Sequence, residues 1–480
     1  MNYLIHDRKP ESVFRFFEEL CAIPHPSYHE ERVADYLEAF AAARGLECYR
    51  DKLHNVLIKK PATPDMKHSE SLLFQGHTDM VCVKTTDSAH DFMNDALQLY
   101  LDGDFLRAKG TTLGADDGIA VAVMLALLDG ALASHPALEC LFTAAEEVGL
   151  DGAEGFDYSK ISARKMINMD SEDLGIVTAG CAGGLRSTLT LKYTTVPFVG
   201  TCIKISLQGL FGGHSGVDIC TGRANANKLM GRLLAKLASA VKVNVVGICG
   251  GSKDNAIPRD CEAAVAVSDA AVAIACIKDE AARISAELVT DDRDFVVTAS
   301  ETEAPDQMLS DVDSAHAVAL LATVDNGVKE MNRNVKGLAE WSRNLGVVKT
   351  EDGKMEFVFA ARSAMESRLD ASIDELNALA ALTGCTAAHY NRYPGWDYAP
   401  VSPLRELYLR AYREVTGQDA TVNVIHAGLE CGIIFSKVPD MDVISIGPDM
   451  RDVHSPDERL DLSTVETLWE TIEKMVELLK

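Results

Sequence analysis

The chain has 480 residues, which at roughly 100–200 residues per domain means two or three domains. Hydrophobic residues make up 47% and charged residues 25%, an ordinary globular balance that excludes a collagen-like, coiled-coil or largely disordered chain. The net charge of -26 repels phosphate backbones, so no nucleic-acid or membrane partner is expected, whereas local carboxylate clusters suit cations.

The first ten residues carry His6, Asp7, Arg8 and Lys9 with no apolar stretch behind them, unlike a secretory signal. The longest apolar run, Ile119 to Leu128, falls short of the roughly 20 residues that span a bilayer and reads as a buried helix. Cysteines scatter from Cys21 to Cys431 without a Cys-x-x-Cys pair, which suggests mostly buried thiols in a reducing, cytoplasmic setting.

Val13 to Ala22 reads as an amphipathic helix, with Phe14, Phe16 and Phe17 in the core. Ser27 and Glu30 have capping-box spacing ahead of a second helix, which Gly45 ends. Strands are predicted at Glu47–Tyr49, Val56–Lys59, Ser71–Gln75, Leu138–Thr143 and Lys165–Met169, with a helix over Gly118–Leu128. This alternation implies an α/β domain: a mixed, mostly parallel sheet with helices on both faces.

Past Gly183-Gly184 the rhythm changes. Strands at Cys202–Leu207, Val243–Ile248, Ala263–Val267 and Phe295–Ala299 alternate with helices Ala224–Ala240 and Ala270–Leu288. After Ser310 come a helix, strands near Leu345–Val348 and Phe357–Ala361, the helix Ile373–Leu382 and a strand near Thr386–Tyr390. These read as two successive, similar α+β units. The earlier rhythm then returns: Ser402-Pro403 caps a helix, Val422–Ile425 and Val443–Ile446 are strands, and Val465–Leu479 is a closing helix. The expected organisation is a catalytic α/β domain over 1–184 and 393–480, interrupted by an inserted α+β lid domain over 185–392.

His77 with Asp79, Asp116, Glu146 with Glu147, Asp170 and His454 each stand just after a predicted strand or at a helix start. In an open α/β sheet those positions share one rim, where ligands bind. Mixed imidazole and carboxylate groups there suit zinc, and less strongly manganese or cobalt. Singly each has an ordinary reading: a capped loop, a helix N-terminus that favours Asp116 and Asp117, an acidic corner, a turn. Their coincidence in one domain favours a metal site. No Gly-x-Ser-x-Gly elbow is present, Gly212–Gly216 lacks the lysine of a phosphate loop, and Cys82 reads as a structural thiol.

The series Gly76-His77-Thr78-Asp79, Gly114-Ala115-Asp116-Asp117-Gly118, Glu146-Glu147, Asp170 and His454 resembles the co-catalytic di-zinc peptidases of the aminoacylase/carboxypeptidase type, and with them a di-zinc exopeptidase-like fold. Longer strings resemble one branch, the aminoacyl-histidine (Xaa-His) dipeptidases. They include Ile23-Pro24-His25-Pro26-Ser27, Gly110-Thr111-Thr112-Leu113, Cys181-Ala182-Gly183-Gly184, Gly212-Gly213-His214-Ser215-Gly216, Asn255-Ala256-Ile257-Pro258-Arg259, His426-Ala427-Gly428-Leu429-Glu430-Cys431-Gly432, Ser445-Ile446-Gly447-Pro448 and His454-Ser455-Pro456-Asp457-Glu458. They run nearly end to end along the chain.

The resemblance implies that His77 and Asp170 bind one Zn2+, Glu147 and His454 a second, and Asp116 bridges them, with Co2+ or Mn2+ able to substitute. Asp79 would orient the His77 imidazole, and Glu146 would be the general base for a hydroxide held by the metals. His214 and Asn255 would meet the oxyanion and Arg362 the substrate carboxylate, with Gly428 and Glu430 in a pocket-lining loop. The family commonly has a Lys after the bridging Asp. Here Asp117-Gly118 follows, as in the dipeptidase branch, and the role of Asp117 stays open.

The implied activity is metal-dependent hydrolysis of short peptides, Xaa-His dipeptides such as carnosine-like substrates among them. A tripeptide aminopeptidase or N-acyl amino-acid deacylase on the same site, and a non-enzymatic metal-binding scaffold, are the alternatives. Related enzymes with a single lid unit borrow a lid His from a second subunit; the doubled insertion here would let one chain act alone, and a homodimer stays open.

Overall fold

The structure, a computed structural model, describes residues 3–288, 292–333, 335–438 and 440–480. Two compact units emerge: Met1–Cys181 with Trp396–Val424 and Leu429–Lys480, and Ala182–Gly395 with Ile425–Gly428.

The first unit is built on an eight-stranded mixed sheet. Its order is Glu47–Arg50, Val56–Lys60, Leu138–Thr143, Leu72–His77, Lys165–Asn168, Asp442–Ser445, Ile176–Cys181, Thr421–Ile425. Leu138–Thr143, Leu72–His77, Lys165–Asn168 and Asp442–Ser445 run parallel at its centre, with antiparallel strands beside them. Parallel central strands put several carboxyl ends side by side, as the sequence rhythm implied.

Strand alternation divides the two faces. Leu72 and Phe74 join a core shared with helices Glu11–Cys21, Ala115–Asp129, Pro403–Thr416 and Leu462–Leu478. Gln75, on the other face, bonds Glu430 of helix Glu430–Lys437. Helix Ala115–Asp129 is apolar almost all round and buried along most of its length. The predicted caps at Gly45 and at Ser402-Pro403 form: Gly45 is left-handed, and the Ser402 side chain accepts from the N–H of Arg405. No helix among the described residues is long and apolar enough to cross a membrane.

The capping box does not form. Helix Glu31–Arg44 starts without a side-chain cap, because Ser27 and Glu30 are drawn elsewhere. Ser27 Oγ donates to Asp79 Oδ2 at 2.8 Å, and Glu30 Oε1 accepts the N–H of Ala145 at 2.9 Å. Two residues of helix-start spacing thus tie this segment to the loops that carry the site. The cysteines are free thiols and most are buried or partly buried; Cys220 and Cys249 are exposed, and Cys82 is half-buried with its pKa pushed up to about 11 by burial.

The second unit is an antiparallel sheet in two halves of the same βαββαβ layout. One half orders its strands Val296–Glu301, Thr201–Gln208, Cys261–Val267, Val243–Gly250. The other orders them Thr386–Tyr393, Gly183–Lys192, Lys354–Ser363, Ala339–Glu351. Numbered within each half, both read 4-1-3-2 and meet through their second strands, where Cys249 pairs Lys349. The halves are nested rather than successive. Gly183–Lys192 is the first strand of the second half and precedes the whole first half. Gly183-Gly184 reads as a break, yet both residues lie in a strand paired to Ser363 and Arg362.

Candidate metal and active site

Three adjacent parallel strands end at the site. Leu72–His77 ends in His77, Leu138–Thr143 leads into Glu146 and Glu147, and Lys165–Asn168 leads into Asp170. Asp116 comes from the first turn of helix Ala115–Asp129, which lies against the strand of His77 because Gly76 has no side chain. A Cβ on Gly76 would stand 2.5 Å from Asp117 Oδ2 and 2.8 Å from the Ala120 methyl. Asp117 thereby gains a role: its Oδ2 accepts the N–H of His77 at 3.2 Å, pinning helix start to strand end.

His454 sits in the loop of a hairpin between Met450–Arg451 and Arg459–Asp461. Glu458 in the same loop accepts the backbone N–H groups of Leu113, Gly114 and Ala115 at 2.7, 3.2 and 2.8 Å. One carboxylate so fastens the His454 loop to the segment that delivers Asp116.

Potential ligand atoms of His77, Asp116 and Asp170 lie within 4.8 Å of one another, as do those of Asp116, Glu147 and His454. Asp116 belongs to both groups and turns one oxygen to each. Oδ1 is 3.1 Å from His77 Nε2, and Oδ2 is 3.2 Å from His454 Nε2. Glu147 Oε1 lies 3.0 Å from His454 Nε2. Two imidazoles and three carboxylates, one of them shared, fit a pair of divalent cations and leave positions open for water and substrate. His77 Nδ1 meets the backbone carbonyl of Asp79 at 3.0 Å and its carboxylate at 3.5 Å, so Nδ1 would keep the proton if Nε2 gave its lone pair to a cation. The carboxylate of Asp79 is engaged chiefly with the next loop, accepting the N–H groups of Glu146 at 3.0 Å and Glu147 at 3.2 Å.

Electrostatics mark the same place. Burial pushes the Glu146 carboxyl up to about 8, with the Glu430 and Glu147 charges acting in the same direction. Burial also raises Asp170 well above the usual carboxylate range, whereas hydrogen bonds from His454 and His77 hold Asp116 below it against its own desolvation. Crowded, desolvated acids of this kind call for compensating positive charge.

Glu430 is not the pocket-lining residue the sequence suggested. It is fully buried, and its Oε2 accepts from Gln75 Nε2 at 2.6 Å and Thr143 Oγ at 2.7 Å. Gln75 in turn accepts from Asn168 Nδ2 at 2.7 Å. These interior bonds link the strands that lead to His77, Glu147 and Asp170 just below their ends. Nothing in a hydrophobic strand pattern announces such a network.

The remaining candidates lie in the second unit. Gly213 and His214 pair with Ile257 and Ala256 in a two-stranded ribbon, and the Asn255 carbonyl accepts the N–H of Ser215 at 2.8 Å, so His214 and Asn255 are neighbours. Arg362 is buried, with Nη2 3.5 Å from His214 Nε2. Burial, then the Arg362 charge, lowers the His214 pKa. Gly428 packs on Tyr393, where a Cβ would come within 2.8 Å of the ring.

An open α/β sheet that gathers two imidazole–carboxylate groups around a shared aspartate defines a metallopeptidase. Comparison with known proteins agrees. Residues 205–291 match the M20 peptidase dimerisation domain, and residues 55–175 match peptidase family M28. The chain is 37% identical over 471 residues to a cytosol non-specific dipeptidase of Escherichia coli, covering 97% of each chain. It superposes with a TM-score of 0.93 on the crystal structure of an aminoacylhistidine dipeptidase from Vibrio alginolyticus, at 37% identity and over 98% and 97% of the two chains. An aminopeptidase from Bacillus cereus, 16% identical over 98% of each chain with a TM-score of 0.57, shares the fold. The chain belongs to the aminoacyl-histidine dipeptidase family of M20 peptidases. It is a metal-dependent peptide hydrolase of the dipeptidase type.

Proposed function

We propose that this enzyme hydrolyses Xaa-His dipeptides, carnosine-like substrates among them, with two Zn2+ ions that Co2+ or Mn2+ can replace. His77 and Asp170 would hold one ion, Glu147 and His454 the other, and Asp116 would offer one oxygen to each. The observation that carries this reading is the single oxygen Asp116 turns toward each histidine, 3.1 Å from His77 and 3.2 Å from His454. When bound, two divalent cations polarise the scissile carbonyl and lower the pKa of water there toward roughly 7.

Glu146 then takes a proton from the attacking water and returns it to the leaving amine. A general base must be ionised when water arrives, and two cations beside Glu146 would favour that form. The loop bonds from Asp79 keep Glu146 and Glu147 side by side in separate roles. His214 and Asn255 act on the oxyanion, Arg362 on the terminal carboxylate, and the insertion serves as a lid. We place the enzyme in the cytoplasm and propose a homodimer, supported by the cytosolic relative and by the dimerisation-domain match.

Two relatives at 37% identity carry different names, an aminoacylhistidine dipeptidase and a cytosol non-specific dipeptidase, so breadth is the second reading. A panel of Xaa-His and other dipeptides, a tripeptide and an N-acetyl amino acid, assayed on zinc-loaded protein, decides. Preferential turnover of Xaa-His is expected. Equal rates across dipeptides favour the broad reading, and no dipeptide turnover removes both.

A further inference from the structure

We infer that Tyr393 is a positioning residue that holds Arg362 in one orientation, so that the guanidinium offers its Nε–Nη2 edge to the carboxyl end of the peptide. The inference rests on the reading of Arg362 as the carboxylate partner. It also accounts for two glycine motifs, Gly183-Gly184 and Ala427-Gly428, that the hydrolytic chemistry leaves unused.

Arg362, Gly184 and Tyr393 stand in one row across three neighbouring strands. Gly184 pairs with Arg362 of Lys354–Ser363 on one side and with Tyr393 of Thr386–Tyr393 on the other. Side chains on one cross-strand row face the same way, and the middle residue normally separates the outer two. Here the middle residue is glycine. A Cβ on Gly184 would overlap the Tyr393 ring, and one on Gly428 would come within 2.8 Å of it. The ring therefore lies in a slot made by two glycines. It crosses the middle strand, and its hydroxyl oxygen accepts a hydrogen bond from Arg362 Nη1 at 3.0 Å.

The rest of the guanidinium is in an unusual state. Arg362 is 4% exposed, and its Nε has no hydrogen-bond partner among the described residues. Its hydrogen-bond contacts are the Tyr393 hydroxyl and the more distant His214 imidazole, 3.5 Å from Nη2. Neighbouring His426, 2.7 Å from the Ser342 hydroxyl, is kept neutral by burial and by the Arg362 charge, its pKa lowered to about 3. A buried cation without a counter-charge is costly, and the partner it lacks is an anion.

Geometry says which edge is available. Nη1 is taken by Tyr393, and Nε and Nη2 share the side of the guanidinium that grips a carboxylate with two parallel bonds. A third glycine keeps that side clear. A Cβ on Gly216 would stand 2.5 Å from the His426 backbone carbonyl, 3.0 Å from His214 Cε1 and 3.3 Å from Arg362 Nε. Gly184 and Gly428 thus admit the tyrosine that turns the fork, and Gly216 leaves the outer edge open. The ligand class is a peptide ending in a free carboxylate.

The test compares a dipeptide with its C-terminal amide on the zinc-loaded enzyme, for the wild type, Tyr393→Phe and Arg362→Ala. Tyr393→Phe deletes one oxygen and keeps the ring in its slot. It should raise KM for the free acid about 10-fold, the cost of one hydrogen bond to a charged group, with kcat nearly unchanged and the amide unaffected. Arg362→Ala should abolish the preference for acid over amide. If Arg362→Ala keeps that preference, or the wild type shows none, the carboxylate reading of Arg362 falls and the inference with it. If Arg362→Ala loses the preference while folded Tyr393→Phe keeps the wild-type ratio, Tyr393 does not position Arg362. Equal losses on acid and amide in Tyr393→Phe also overturn it, because a merely structural defect makes no distinction between them.

Discussion

The Asp79 carboxylate accepts the backbone N–H of Glu146 at 3.0 Å, joining the loop that follows one parallel strand to the loop that follows its neighbour. The same carboxylate takes the N–H of Glu147 and the hydroxyl of Ser27, so one buried acid sets the height of Glu146, of Glu147 and of the entering chain. Asn in its place offers one acceptor oxygen and a donor that opposes the N–H groups. Asp79→Asn should lower kcat/KM about 10- to 100-fold and weaken zinc binding to a similar degree, as losses behind metal ligands generally do. Kinetics together with a zinc titration check this; wild-type values for both would show that the loop holds its shape without Asp79.

Glu146 is the proposed proton carrier and is assigned no metal. Glu146→Gln should keep two zinc ions per chain and nearly wild-type KM, while kcat falls by about 10²–10⁴. Elemental analysis and steady-state rates on the same preparation separate the roles. A variant that loses zinc would make Glu146 a ligand, and one that keeps turnover would not be missing its base.

Much of this site could be read from residues standing at element ends. His77, Asp116, Glu147, Asp170 and His454 each follow a strand or open a helix, and the parallel centre of the sheet converts that pattern into proximity. What holds them was less legible. Glu458 lies only four residues past His454, yet its backbone partners Leu113 to Ala115 are distant in sequence. Glu430 looked like a loop residue because the helix Glu430–Lys437 is short and has a glycine in its first turn, just after Gly428. In the insertion, similar halves were visible as rhythm. Their nesting was not, because Gly183-Gly184 looks like a break where the strand needs bare backbone for Tyr393.

His454 reaches the site from a hairpin loop and is the most exposed ligand candidate, its side chain 49% accessible against 1% for His77. Removing an exposed ligand leaves the buried group intact. His454→Ala should therefore keep one zinc tightly and bind the second at least about tenfold more weakly, with activity restored in part by excess zinc. Two tightly held ions in this variant would contradict the assignment.

Glu430 gives a pH signature of the interior. Burial lifts its carboxyl to about 7, despite hydrogen bonds from Thr143 and Gln75 that favour the ionised form. The sign follows from proton counting. Between the ordinary carboxylate value, about 4.3, and about 7 the folded chain holds a proton that the unfolded chain has lost. The metal-free protein should therefore lose stability as pH rises through that window, by at most about 1.4 kcal/mol per pH unit from this group, and no further above it. Gln keeps the shape and an oxygen that can accept from both Gln75 and Thr143. Glu430→Gln should match the wild type near pH 4.5 and exceed it at pH 8. Urea midpoints of both proteins at the two pH values check this. A wild type that stays as stable as the variant at pH 8 would show that the buried carboxylate is fully compensated by its neighbours.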